Sequence, residues 1–501
     1  MTRSVAWTLA AAMFAAACMS AGSAAAADVT PVLSECHVAG IRNGVLCGSV
    51  QRPLDPDHAG RGTLEIKYVV VPAMARRKLA DPVFFLAGGP GQSAVALAAQ
   101  AMSLFSRLNN RRDIVFVDQR GTGDSAPLTC KDPEDETLAD QSEPERQLRL
   151  IVQCKAALLK QPYIKAESDL GFFTTTIAVQ DLDAVRRQLG AERIDLVGGS
   201  YGTRVALEVL RQFPKTVRRS VIDGVAPPDM VLPASFSTDN QAALDRLLES
   251  CAADPACAKA HPDLHARFAA LLQGLPGQVK AQHALTGREE TFTLTRELVL
   301  GAVRGALYSP ALAAALPEAI DAATRGDYAG LIGLGATQLA RKSSRLATGM
   351  HLSVVCAEDL PRLAASTDKP GADFGVAFAR NYEKLCAIWP RGAVPAAFYT
   401  LPKSESPVLV LSGGIDPVTP PRHGERVAMA LGPMAKHVVV ANAGHGVMSI
   451  GCMRDVVFRF IDAATDAEAL AVDAGCASQV PRPLAFVSLS SANAKSSEPA
   501  R

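Results

Sequence analysis

The sequence predicts an α/β protein, a mostly parallel central sheet with a helical cap inserted between two of its strands. Three observations predict it. Short apolar runs that stop at glycine-rich turns, such as 83–86 (VFFL) and 114–117 (IVFV), have the form of strands buried on both faces. Such runs alternate with helical periodicity up to about residue 228, the pattern by which crossover connections build a parallel sheet. From about 229 to 400 the pattern is mostly helical, and glycine-terminated strands return only at 408–411 and 438–440.

The 501-residue chain opens on a targeting segment. Arg3 supplies a positive start, 5–17 is apolar but too short to span a bilayer, and Ala25-Ala26-Ala27 forms a small-residue cleavage site. Residues 1–27 are therefore set apart as a signal peptide, and the mature chain is expected to be exported, to the periplasm or outside the cell. A weaker match, Ala16-Ala17-Cys18, offers a lipid-anchored start instead, with Ala15 where a large aliphatic residue is usual. No later segment has the length and apolarity of a membrane span. With 51 basic and 50 acidic side chains, the chain carries no electrostatic footprint for nucleic acid or an anionic membrane. Arg76-Arg77 and Arg218-Arg219 read as solvated surface.

Residues 63–71 (TLEIKYVVV) alternate as a strand with one wet edge or face. Ala178, Leu182, Val185 and Leu189 repeat at helical spacing before Gly190, a C-terminal stop. A strand at 194–197, a helix over 201–213 and a strand at 220–222 complete the first core block, 28–228. The cap, 229–400, contains helices expected at 242–251, 263–273, 296–307 and 311–323. The second core block is 401–480, and the polar end, 481–501, reads as a disordered tail.

Ten cysteines remain once Cys18 is removed with the leader, an even number that in an exported chain predicts disulfides. They fall as near neighbours: Cys36 and Cys47, Cys130 and Cys154, Cys251 and Cys257, Cys356 and Cys386, Cys452 and Cys476. Sequential pairing is the simplest arrangement among the many that sequence alone permits.

Gly198-Gly199-Ser200-Tyr201-Gly202 fits G-x-S-x-G and lies between a strand and a helix. A sharp strand-to-helix turn needs small residues around the serine, and it lifts the hydroxyl above the sheet. A serine hydroxyl is a weak nucleophile without a base, so a histidine oriented by a carboxylate is required. In the chain order of this architecture the acid precedes the histidine. Asp416, in Gly413-Gly414-Ile415-Asp416-Pro417, and His445, in Ala443-Gly444-His445-Gly446, each follow an apolar strand. Taken alone, the first is a turn aspartate and the second a loop histidine. In order and after successive strands, Ser200, Asp416 and His445 form the candidate catalytic triad. The candidate oxyanion hole is the Gly89 N–H, from Gly88-Gly89-Pro90-Gly91, with the Tyr201 N–H at a helix start.

His261 and His265 stand four apart, but no third ligand accompanies them, so no metal site is assigned. No dinucleotide or phosphate-loop fingerprint is present, and acyl transfer at such a triad needs no cofactor.

Gly-Gly-Pro-Gly at 88–91, Asp118-Gln119-Arg120-Gly121-Thr122-Gly123-Asp124-Ser125 and Gly-Gly-Ser-Tyr-Gly at 198–202 resemble the prolyl iminopeptidase branch of the α/β-hydrolases. The segment 413–420 (GGIDPVTP) and the cysteine-rich, signal-bearing layout are similar to the exported tripeptidyl-aminopeptidase-like members. The resemblance runs from about Cys36 to Cys476. Ala87 departs from it, since many relatives place histidine there. It implies removal of residues from the free N-termini of small peptides, with acids of the cap holding the substrate amine. Glu358, with Asp359 second, matches that cap segment in Cys356-Ala357-Glu358-Asp359. Trp389 of the second cap segment, 386–390, reads as core or pocket wall. An esterase or amidase with the same triad is the rival expectation.

Overall fold

The computed structural model describes residues 33–131, 136–339 and 346–487. The expected signal peptide, residues 1–27 with Cys18, and the end of the tail lie outside the described residues. One nine-stranded sheet organises the core. Its first strands are β1 (Ser34–Cys36), β2 (Val45–Pro53), β3 (Thr63–Val71), β4 (Val83–Leu86), β5 (Ile114–Val117), β6 (Ile194–Gly199) and β7 (Val217–Asp223). A separate hairpin in the cap is β8 (Gly277–Gln282) and β9 (Glu289–Leu294), and the sheet is completed by β10 (Val408–Gly413) and β11 (Ala435–Val440).

The spatial order is β1-β2-β3-β5-β4-β6-β7-β10-β11. Pairings from β5 to β11 are parallel, whereas β1, β2 and β3 add an antiparallel edge. Among the parallel strands, β4, β5 and β10 are the continuous apolar runs of strands covered on both faces, whereas β6, β7 and β11 carry Asp195, Arg218-Arg219 and Lys436-His437. Strand β3 alternates because one face is wet, and it lies between β2 and β5 rather than at an edge. Two apolar clusters flank the sheet, one around Phe84, Leu196 and Val205 and the other around Phe116, Val197 and Leu411.

The cap lies between β7 and β10 in sequence, but it packs as two parts. Residues of 243–331 form their own apolar cluster around Leu244, Phe268 and Val303. The segment from Ala347 to Trp389 instead shares a cluster with the sheet. The mostly helical cap also holds a hairpin, in which β8 and β9 pair antiparallel. Two expectations need correction within this architecture. The expected 311–323 helix is two, Pro310–Ala313 and Leu316–Thr324. The start of the tail is held, with the Phe486 N–H donating to the Ala314 carbonyl at 2.8 Å.

Arg218-Arg219 is also not solvated surface. Arg219 is buried and donates to the carbonyls of Phe460, Ile461, Ala463 and Thr465. Arg218 pairs with Asp81 and Asp195. The cysteines join as the five sequential pairs.

Candidate active site

Strand β6 delivers Ser200 into a sharp turn, with φ 55° and ψ −125°, and the Tyr201–Gln212 helix follows at once. A left-handed φ on a serine is strained and persists only where its surroundings enforce it. Here the Ser200 N–H donates to the Asp223 carbonyl at the end of neighbouring β7, at 2.8 Å. The flanking glycines are required by approach: a Cβ on Gly202 would collide with the Leu86 carbonyl, and one on Gly198 with the Gly202 carbonyl.

Strands β10 and β11 end level with each other, Gly413 opposite Val440. The loops after them are stitched together by Gly414 N–H to the Val440 carbonyl, 2.9 Å, and Ile415 N–H to the Ala443 carbonyl, 3.1 Å. This brings Asp416 to His445, with Oδ2 and Nδ1 2.8 Å apart. Asp416 is buried, and its Oδ1 accepts from the Val418 and Thr419 N–H groups at 2.8 and 2.9 Å. The Thr419 hydroxyl donates to Oδ2 at 2.7 Å. Burial opposes ionisation, but His445 and these donors hold the Asp416 carboxyl below its usual range. For His445, burial works against the imidazolium, while the Asp416 charge and hydrogen bond, with Asp223 adding to them, carry its pKa above the ordinary value. A Cβ on Gly224, the residue that follows Asp223 at the end of β7, would lie 3.2 Å from His445 Cε1. The histidine ring and the Ser200 turn thus both lie against the Asp223-Gly224 backbone.

Gly88 and Gly89 pass beside the elbow. A Cβ on Gly88 would sit 3.2 Å from Ser200 Cβ, and Gly89 adopts φ 113°, a conformation open to glycine. The Tyr201 N–H stands at the first turn of its helix, where no intrahelical acceptor exists. The motif at 118–125 supports the same loop from behind. Asp118 Oδ1 accepts from the Ser93 hydroxyl at 2.7 Å and the Val95 N–H at 3.1 Å, and Arg120 is buried in a double contact with Asp181.

The two cap acids reach the elbow but do not face open solvent. Both are fully buried. Asp359 takes both ends of Arg204, at 3.0 Å each, and also the Leu232 N–H. Glu358 accepts from the Thr175 N–H at 2.7 Å, the Thr175 hydroxyl at 3.0 Å and Arg204 at 3.3 Å. The Thr175 hydroxyl also meets the Tyr201 hydroxyl at 2.6 Å. Burial pushes the Glu358 carboxyl up to about 7 against the pull of Arg204. This differs from a pair of free acids lining a cleft, because an internal cation already occupies them. Trp389 is core, its Nε1–H donating to Ser353 Oγ at 3.0 Å. His261 is buried between Glu318 and Asp321, while His265 is exposed, so the two do not converge.

Sequence reading missed two participants. Asp223 Oδ2 accepts from the Val447 and Met448 N–H groups at 2.7 and 2.8 Å, fixing the loop that bears His445. Its position at the end of a buried strand was the available signal. Tyr308 comes from the cap: its carbonyl accepts from the His445 N–H at 3.0 Å, and its ring stands edge-on to the imidazole at 5.1 Å. No local motif marks it.

Comparison with known proteins agrees with this architecture. The family described as alpha/beta hydrolase fold matches residues 81–450. Serine protease Hip1 of Mycobacterium tuberculosis is 28% identical over 208 residues, 40% of this chain and 39% of that protein. Tripeptidyl aminopeptidase of Streptomyces coelicolor is 31% identical over 148 residues, 28% of this chain and 27% of that protein. The chain thus aligns with well under half the length of either. Carboxylesterase B of Mycobacterium tuberculosis is 28% identical over 433 residues, 77% of this chain and 78% of that protein. The chain is a hydrolase that belongs to the alpha/beta hydrolase fold family.

Proposed function

We propose that the chain is an exported serine aminopeptidase, cutting peptides near their free N-terminus through an acyl-enzyme on Ser200. The observation that carries this reading is the 2.8 Å contact of His445 with Asp416 beside the strained Ser200 turn. In the proposed reaction the Ser200 hydroxyl attacks the scissile carbonyl and His445 takes its proton. The Gly89 and Tyr201 N–H groups stabilise the oxyanion. Asp416 fixes the imidazole so that Nε2 faces the serine. His445 then protonates the leaving amine, and water releases the acyl group. Five disulfides support export to an oxidising compartment. Among the described residues, no helix is long and apolar enough to cross a membrane.

Glu358 is the proposed amine anchor, in a charge-assisted contact made in place of a Thr175 bond. Asp359 is committed to Arg204 and would act behind it. The burial of both acids favours a second reading, an esterase or amidase that needs no amine, and the long alignment with a carboxylesterase points the same way.

The test is a panel of Pro-, Ala- and Ala-Ala-Pro-anilides, their N-blocked copies and p-nitrophenyl acetate. Ser200→Ala should lose roughly four to six orders of magnitude in kcat on every substrate cut. Aminopeptidase function predicts cleavage of free-amine anilides only, and a larger loss for Glu358→Gln on anilides than on the ester. Equal cleavage of blocked anilides, or of the ester alone, would leave the esterase reading.

A further inference from the structure

Among the described residues, the cap holds beside the site a cation, Arg304, with no acid to neutralise it. Arg304 lies on the Arg296–Leu307 helix, and Tyr308, at its C-terminal cap, keeps helical angles of −57° and −31°. Residues four apart share a helix face, so Arg304 stands one turn above the ring that packs edge-on to His445. On its other side the guanidinium lies 5.4 Å from the centroid of the Phe378 ring. Phe378 packs against Tyr382 at 5.1 Å, and the Tyr382 hydroxyl meets His351 Nε2 at 2.7 Å. His351 Nδ1 in turn lies 3.1 Å from the Pro90 carbonyl of the glycine loop beside Ser200. Arg304 therefore sits on the cap wall that runs from His445 to the candidate oxyanion loop.

Its surroundings are aromatic. Among the described residues, Arg304 has no carboxylate partner, and the acids of the neighbourhood are already matched, Asp416 to His445 and Asp359 to Arg204. A half-buried guanidinium facing ring systems keeps most of its five donors for a ligand. Its fork fits a carboxylate in a two-point contact.

We propose that Arg304 is a substrate-binding residue that recognises a carboxylate on the leaving-group side of the scissile bond. The side follows from chemistry: His445 hands its proton to the departing group, and Arg304 shares a helix face with the residue packed on His445. The preferred substrates are short peptides whose leaving segment carries a free C-terminal carboxylate or an acidic side chain. The inference rests on the acyl-transfer reading of Ser200 and His445 and adds to it a substrate class.

The experiment compares kcat/KM within matched pairs on wild type, Arg304→Met and Arg304→Lys. One arm pairs tri- to pentapeptides with their C-terminal amides. A second arm pairs amidated peptides carrying Glu or Gln just after the cut. A third arm uses 3-carboxyphenyl and 3-carbamoylphenyl acetate, which contain no peptide bond. Wild type should favour the carboxylate in at least one arm by roughly ten- to a hundredfold, the range of one charge-assisted contact. Arg304→Met should bring that ratio close to one, with Arg304→Lys in between, and each ratio is internal to its variant. The arm that responds identifies which carboxylate is read. A preference among esters with no peptide cleaved would keep the subsite and remove the peptidase reading. A wild-type ratio near one in all arms, a ratio unchanged in Arg304→Met, or no cleavage in any arm would overturn the proposal.

Discussion

Asp223 ends β7 beside the elbow, and its Oδ2 holds the two N–H groups that follow the His445 turn. Burial lifts its carboxyl from 3.8 to about 6 in spite of those donors. A carboxyl raised in the fold binds its proton more tightly there than in the unfolded chain. Stability is then lost as pH rises from about 4 to about 6, and the deficit is complete above that. Asp223→Asn keeps an acceptor oxygen and removes the charge. Relative to wild type, its urea midpoint should therefore improve more at pH 8 than at pH 4. The same charge helps raise the His445 pKa. The acidic limb of the kcat/KM profile should consequently move to lower pH in Asp223→Asn. An unmoved limb would mean that Asp223 acts on the loop alone and not on the imidazole.

The element that couples cap to chemistry is the Thr348–Val354 helix. The Ala347 N–H at its start donates to the Gly91 carbonyl at 2.8 Å, and His351 reaches the Pro90 carbonyl. Burial lowers the His351 pKa, which favours the neutral ring, with Nδ1–H donating to Pro90 and Nε2 accepting from Tyr382. In the proposed reaction, a shift of the glycine loop would displace the Gly89 N–H from the developing oxyanion. His351→Phe should thus lower kcat about ten- to a hundredfold with little change in KM. His351→Asn, which keeps an N–H near the Nδ1 position, should recover part of the loss. A change in KM alone would assign His351 to substrate binding instead. This helix also shows where sequence ceases to inform. Strands β4, β5 and β10 were legible because burial on both faces leaves continuous apolar runs, and Ser200 because its turn demands glycine on both sides. Strand β2 carries a half-buried pattern with Gly48, Gln51 and Arg52, which no simple period reveals. Tyr308 and His351 meet the site only through tertiary packing of the cap, and their own neighbours in sequence carry no mark of it. The amine-anchor expectation at Glu358 came from a motif match, and a motif does not disclose that Arg204 lies across from it.

For the molecule as a whole, the decisive contact is the one that seats the cap on the core. Arg204 projects from the helix after the elbow and is buried between Glu358 and Asp359 of the cap. An ion pair taken out of water gains little net stability, but removal of one partner leaves the other charged and unpaired. Arg204→Met strands two carboxylates and should destabilise the fold by about 3–5 kcal/mol at neutral pH. The direction with pH follows from Glu358. Burial already raises its carboxyl to about 7 with Arg204 present, and without Arg204 the neutral acid is favoured further. The folded variant therefore holds a proton that the unfolded chain releases above about 4.5, and its stability should fall as pH rises from 5 to 8. Adding Asp359→Leu to Arg204→Met removes one stranded charge and should restore part of the loss, most fully near pH 5, where Glu358 stays protonated. Denaturant unfolding of wild type, the single variant and the double variant at pH 5 and pH 8 reads all of this directly. If Arg204→Met lost the same stability at both pH values, the acids would have found other partners, and the cap would be held by its apolar contacts with the sheet.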